Sequence, residues 1–133
     1  MQPQMNADSH RLDRLTEKII GCAYQVANSL GSGFLEKVYE NAMAIELNNA
    51  KLDVAQQKSI NVLYDGKIVG EYIADLLVED SVLVELKATR ALDDIHMAQC
   101  LNYLKATGLK VCLPINLRKP RILASRESRS NAL

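Results

Sequence analysis

The segment DLLVEDSVLVELKA, Asp75 to Ala88, limits what this chain can fold into more than any other stretch. Two short aliphatic runs flank Glu79, Asp80 and Ser81, which reads as a β-hairpin. With a three-residue connection, Val78 faces Val82, Leu77 faces Leu83 and Asp75 faces Glu85. Alternation then gives Ala74, Leu76, Val78, Val82, Val84 and Leu86 one wholly apolar face that has to be covered. The opposite face carries Ile73, Asp75, Leu77, Leu83, Glu85 and Lys87. Two carboxylates directly opposed destabilise a sheet, and charged groups enter an interior only when paired, bound to a metal or used in chemistry. A sheet with one wet face is the alternative, with Glu85 and Lys87 in solvent and Asp75 in a weak surface ion pair.

Hydrophobic period organises the rest. Asp8 or Ser9 can cap a helix whose apolar positions Leu12, Leu15, Ile19, Cys22, Ala23, Val26 and Leu30 recur at spacings of three and four. Gly31 to Gly33 end it. A second helix begins near Phe34 or Leu35 and runs to about Ala50, with Leu35, Val38, Tyr39, Ala42 and Ile45 on one side. From Val54 the period becomes that of strands. Asp65-Gly66 predicts a tight hairpin, because both positions of such a turn need positive φ, and the strand after it runs on to Val78 with a bend at Gly70. Val82 to Lys87 is the third strand. Asp93 to Thr107 is helical, with Met97, Leu101 and Leu104 on one face and Gly108 at its end. KVCLPIN is a fourth strand whose Pro114 points to an edge or a strand end. Helix, helix, three strands, helix, strand makes an α/β domain in which the third helix crosses over and permits parallel pairing.

At 133 residues the chain has the length of one domain. A core of about 9–117 is expected, with a polar lead over 1–8 and a basic, Ser-rich tail from about 118 to 133. Hydrophobic residues at 48% and charged residues at 24% exclude disordered and fibrous classes. Lys plus Arg and Asp plus Glu are 16 each, so no global field draws the protein to nucleic acid or anionic lipid, and phosphate binding has to be local. The tail cluster Arg118, Lys119, Arg121, Arg126 and Arg129 is one local source of cations. No stretch approaches the ~20 apolar residues of a membrane span, and MQPQMNADSH lacks an export pattern. A cytoplasmic protein is expected, its Cys22, Cys100 and Cys112 being small buried hydrophobes rather than a metal or cluster set.

Two further groups of polar residues bear on the hairpin. Glu36 and Glu40 share a helix face with Tyr39, Met43 and Leu47, so a carboxylate there can reach the charged patch or lie at a solvated margin. His96, Gln99 and Tyr103 make a polar stripe beside Met97, Leu101 and Leu104. Its amide and phenol can hold a phosphate or orient a carboxylate, or can equally be a packed ring and a backbone-bonded amide.

Asp75, then Glu85-Leu86-Lys87 in a hairpin, then a helix with Gln99 and Tyr103 four apart, resembles the PD-(D/E)XK nuclease superfamily, particularly its RecB-like branch. GSGFLEKVYENAMAIEL, with Gly33, Glu36 and Tyr39 at three-residue intervals, together with YIADLLVEDSVLVELKA and QCLNYLKATGLKVCLPIN, is similar to the GxxExxY proteins of that superfamily, over roughly Leu12 to Asn116. The resemblance implies a restriction-endonuclease-like core. It makes Asp75 and Glu85 metal ligands with the carbonyl of Leu86 as a third, and Lys87 the catalytic lysine. Glu36 becomes the helix carboxylate that completes the site or orients water, and Gln99, Tyr103, Tyr39 and Gly33 become supporting or substrate-contacting residues. Mg²⁺ or Mn²⁺ suits such oxygen donors. Ala74 stands where a proline often precedes the first acid, the ending after the fourth strand is longer than usual, and no iron–sulfur cysteines are present.

The function implied is a metal-dependent nuclease hydrolysing phosphodiester bonds of DNA or RNA through a metal-activated water. The alternative is a non-catalytic nucleic-acid-binding or protein-interaction module on the same fold, which the balanced charge favours. A metal-free protein with a buried Asp75–Lys87 pair is a third reading. The partner is nucleic acid rather than membrane, and a homodimer or protein partner is left open.

Overall fold

The structure is a computed structural model that describes residues 3–89 and 94–118. Its elements are α1 (Pro3–Leu30), α2 (Glu36–Asn49), β1 (Val54–Tyr64), β2 (Lys67–Val78), β3 (Val82–Lys87), α3 (Asp94–Thr107) and β4 (Val111–Asn116). The four strands form one sheet in the order β1-β2-β3-β4. β1, β2 and β3 are an antiparallel meander, and β4 pairs parallel to β3 after the α3 crossover. The mixed α/β architecture is the one the period changes predict. Pro114 lies on β4, an edge strand, where a missing N–H costs the sheet no internal ladder bond.

Side-chain parity sorts the strands between two helical layers. Leu76, Val78, Val82, Val84, Leu86, Val111, Leu113 and Ile115 pack with Leu15, Ile19 and Val26 of α1 and Tyr39, Met43 and Leu47 of α2. Leu77, Leu83 and Cys112 pack with Cys100, Tyr103 and Leu104 of α3 on the other side. Every residue of β3 except Lys87 is therefore buried, as expected of a central strand covered on both faces. Ala74 departs from the expected face and joins the α3 cluster. Its offset coincides with the point where β2 leaves β3.

The turns follow their residues. Asp65 and Gly66 have φ of 54° and 76°, the pair of left-handed conformations a two-residue hairpin needs. The β1–β2 register shifts at Val62/Leu63, beside Gly70. Glu79 and Asp80 are also left-handed. That turn is held because the Glu79 N–H donates to the Asp53 carbonyl at 2.8 Å while the Asp53 N–H donates to Glu79 Oε2 at 2.6 Å.

Four expectations are corrected. α1 begins at Pro3 rather than Asp8 or Ser9, so the described part of the 1–8 lead is helical; proline at a first helical turn loses no hydrogen bond, and nothing in QMNAD breaks the helix. On α2, Leu35, Val38 and Ile45 are exposed, and Tyr39, Met43 and Leu47 face the core. Both sets have helical spacing, so periodicity alone cannot choose between them. On α3 the innermost residues are Cys100, Tyr103 and Leu104, with Met97 and Leu101 half-buried. The cysteines are not three separate thiols: Cys100 and Cys112 form a disulfide, their Cα atoms 5.6 Å apart, and Cys22 is a buried free thiol. The crossover that lays α3 against β4 creates this pair, and a scattered odd count of cysteines gave no sign of it.

Among the described residues no helix is long and apolar enough to cross a membrane. Of the basic tail only Arg118 falls within the described residues.

Candidate functional site

The β2–β3 ladder joins Val78 to Val82, Leu77 to Leu83 and Leu76 to Val84, as a three-residue connection requires. It stops there. Asp75 and Ala74 do not continue it, although β3 goes on pairing with β4 as far as Lys87 and Asn116. Asp75 Oδ2 instead accepts the Leu86 N–H at 2.7 Å, so a side chain takes the place of a main-chain partner. In an extended strand a residue's N–H and C=O point toward the same neighbour. The Leu86 carbonyl therefore faces the gap that opens where the strands part.

Two carboxyl groups meet at this gap. Glu85 is 5% exposed and Asp75 is half-buried. The charge of Asp75 bears directly on Glu85. Burial pushes the Glu85 carboxyl up to about 8, the nearby Asp75 charge pushes the same way, and Lys87 pulls it down. Asp75 is also raised, by burial first, with the Leu86 N–H acting against it and the charge of Glu40 adding to it. Near neutral pH Glu85 thus favours its neutral form, which relieves its repulsion with Asp75. Glu85 Oε1 is buried without a hydrogen-bond partner, an oxygen with open coordination. The wet-face alternative fails for Glu85, although Lys87 is only half-buried. The Asp75 carboxylate is held by a main-chain N–H, and Lys87 is the weakest of the influences on it, so a tight Asp75–Lys87 ion pair does not describe the site.

α2 brings two of its three glutamates, Glu36 and Glu40, to this end of the sheet, in different ways. Glu36 is exposed, and its Oε2 accepts the Ala88 N–H at 3.0 Å, directly after Lys87. Glu40 is 3% exposed. Its Oε1 accepts from Gln57 Nε2 at 2.7 Å and its Oε2 from Gln56 Nε2 at 2.6 Å and Lys37 Nζ at 3.0 Å. Glu40, not Glu36, is therefore the third buried carboxylate whose charge reaches Asp75. Residue spacing singled out the pair but could not rank them. Gln56 and Gln57 were not anticipated; Gln57 has a positive φ of 55°, an irregularity that strand-period reasoning cannot see.

The Gly33, Glu36, Tyr39 spacing has a local meaning. Tyr39 is buried, and its hydroxyl donates to the Gly31 carbonyl at 2.6 Å and accepts the Phe34 N–H at 3.3 Å. Gly33 has φ of 106°, a conformation L side chains rarely adopt. The loop that starts α2 is thereby tied down, and Glu36 is presented to the end of β3.

α3 closes the other side. Tyr103 is 3% exposed, and its phenol is pushed up to about 12 by burial and then by the charges of Glu85 and Asp75, with Gln99 acting against the rise. Its ring lies 5.8 Å from that of Tyr72 on β2, a residue not picked out from the sequence. His96, the third member of the stripe, is half-buried.

Among the described residues no group of three His, Cys, Asp or Glu side chains is placed to hold a metal. Two facing carboxyl groups, one with an unpartnered buried oxygen, and a main-chain carbonyl at a sheet gap are donors suited to a hard divalent cation, which takes one or two carboxylates and fills its remaining positions with water or substrate oxygens. The chemistry open to such a site is electrostatic stabilisation of developing negative charge, with Lys87 on the same strand beside it.

A search of curated proteins and a search of solved structures both give no match. A family model described as the PD-(D/E)XK nuclease superfamily matches residues 13–128. That span runs from α1 through β4 and includes every residue of the gap between β2 and β3, and the chain belongs to the PD-(D/E)XK nuclease superfamily.

Proposed function

We propose that the protein is a Mg²⁺- or Mn²⁺-dependent nuclease that hydrolyses phosphodiester bonds of DNA or RNA, and that within its superfamily it falls with the GxxExxY proteins of the RecB-like branch. The observation that carries the reading is the Asp75–Glu85 pair at the point where β2 leaves β3, with Lys87 on the next outward position of the same strand. The superfamily supports nuclease chemistry in general.

Asp75, Glu85 and the Leu86 carbonyl would hold the cation. When bound, the cation supplies Lewis acidity and lowers the pKa of a coordinated water. Lys87 meets the negative charge that develops on the phosphoryl oxygens and holds the water in line. Glu36, exposed beside Ala88, would complete the site or orient water at its rim, while the negative charge of the buried Glu40 adds to the field that a cation at Asp75 would neutralise. Gln99 and the buried Tyr103 would support the site from the α3 side.

The test is a cleavage assay over single- and double-stranded DNA and RNA with Mg²⁺ and Mn²⁺, beside Lys87→Ala. Metal-dependent cleavage by the wild type, abolished in a variant of unchanged thermal stability, is expected. If Lys87→Ala unfolds the protein, the lysine is structural. The balanced charge of 16 against 16 favours a second reading, a binding module that depends on a partner for phosphate contacts. No cleavage of any substrate would select it.

A further inference from the structure

We propose that the groove between the β1–β2 hairpin and α3 receives an unpaired nucleobase of a single-stranded nucleic acid, stacked on Tyr72. The choice of ligand rests on the nuclease reading above; the groove itself does not. A cavity of about 480 Å³ lies there, with Asn61, Leu63 and Tyr72 on the hairpin side and Asn102, Tyr103 and Lys105 on α3. Its size falls in the range of sites that enclose a small organic ligand. Tyr103 is both a wall of this cavity and the phenol that feels the charges of Glu85 and Asp75, so the groove opens next to the carboxyl pair.

The lining suits a base better than it suits a duplex or a greasy peptide. Tyr72 is 50% exposed and is backed by the Tyr103 ring at 5.8 Å, which leaves a supported aromatic face to solvent. Aromatic faces of this kind carry single-strand binding, because every base has a π-face to offer. Asn61 and Asn102 present both donors and acceptors at the sides, as hydrogen bonding to a base edge requires. Lys105 lines the same cavity. A second cavity shares Asn61 and Ala106 with it and is lined by both Lys58 and Asp80, so Lys105 is the cation next to the base site. A base inside a duplex cannot reach such a recess without leaving the stack. A chain with equal numbers of acidic and basic residues also lacks the broad cationic surface that duplex binding uses. Stacking supplies the affinity that charge does not.

The experiment is fluorescence anisotropy in EDTA, where no cleavage can occur, with a short labelled single strand and its blunt duplex. The wild type is expected to bind the single strand more tightly. Tyr72→Ala should weaken that binding by about 5- to 100-fold, the range of one lost base stack, while Tyr72→Phe, which keeps the ring, retains it. Circular dichroism establishes that the alanine variant is folded. Asn102→Asp, an exposed change that places a negative charge in the groove, should also weaken binding and carries no risk to the fold. Equal affinity for single strand and duplex, no binding by the wild type, or a Tyr72→Ala protein that binds the single strand like the wild type would each overturn the inference. Its failure is distinct from that of the nuclease reading. A wild type that binds single strands through Tyr72 but never cleaves with Mn²⁺ refutes only the enzyme, and one that cleaves without needing Tyr72 refutes only the groove.

Discussion

Strands β2 and β3 meet two helical layers and settle differently with each. Toward α1 and α2, Leu76, Val78, Val82, Val84 and Leu86 fill a dry cluster with side chains 0–1% exposed. Toward α3, the same strands offer Leu77 and Leu83 to a smaller cluster, and Asp75 and Glu85 lie just beyond the last paired residues. The first face gains from every contact it makes. The second buries Glu85 beside Asp75, where burial pushes the Glu85 carboxyl up to about 8, and gives up the ladder beyond Leu76 and Val84. One hairpin thus supports the fold with one face and stores an unfavourable charge arrangement on the other, which is where a site for a cation is expected.

The comparison is broken most severely by attacking the dry face. Leu76→Ala should destabilise the protein by about 2–5 kcal/mol, read as a loss of denaturation midpoint without a change in m-value. Next in size, Lys87→Ala on the wet face should leave that midpoint nearly where it was and lower metal-dependent cleavage by about 10²–10³-fold, the loss of one stabilising group at a developing charge. If both variants behave alike, the two faces are not functionally separate.

The pH dependence sharpens the same contrast. The folded Glu85 carboxyl titrates at about 8, above its ordinary value of 4.5. Between these values the native state holds a proton that the unfolded state has lost. Stability of the metal-free protein should therefore fall as pH rises from about 5 to 8, by an amount on the order of a few kcal/mol, and level off above about 8. Glu85→Gln should flatten this slope in urea denaturation at successive pH values; a slope unchanged in that variant places its origin elsewhere. The smallest effect belongs to Glu36→Gln. It weakens one exposed hydrogen bond to the Ala88 N–H, and the stability change should stay within about 1 kcal/mol.

How much of this could be read from residues depends on the range of the information. The β3 boundaries, the Val78–Val82 register and the parallel crossover were legible, because alternation, a turn at Glu79–Ser81 and a helix-length connection are local signals. The apposition of Asp75 and Glu85 followed from that register. The loss of the ladder just there did not, since it depends on Asp75 taking the Leu86 N–H. Glu40 and Glu36 share a helix face, and only the approach of Gln56 and Gln57 from β1 decides which one is buried. The inner side of α2 was misread for the same reason, two apolar stripes of equal period. The Cys100–Cys112 pair and the Tyr72–Tyr103 contact join residues from different elements, and no spacing rule reaches across them.

The central claim is that Asp75 and Glu85 hold a divalent cation, which displaces the proton that burial keeps on Glu85. Calorimetric titration with Mn²⁺ at pH 6 and pH 8, on the wild type and on Asp75→Ala, tests it most directly. The prediction is one ion per chain, bound more tightly at pH 8 because protons compete less for Glu85, with proton release on binding and no uptake by Asp75→Ala. A wild type that takes up no Mn²⁺ at either pH, or an Asp75→Ala variant that binds it as well as the wild type, would contradict the claim.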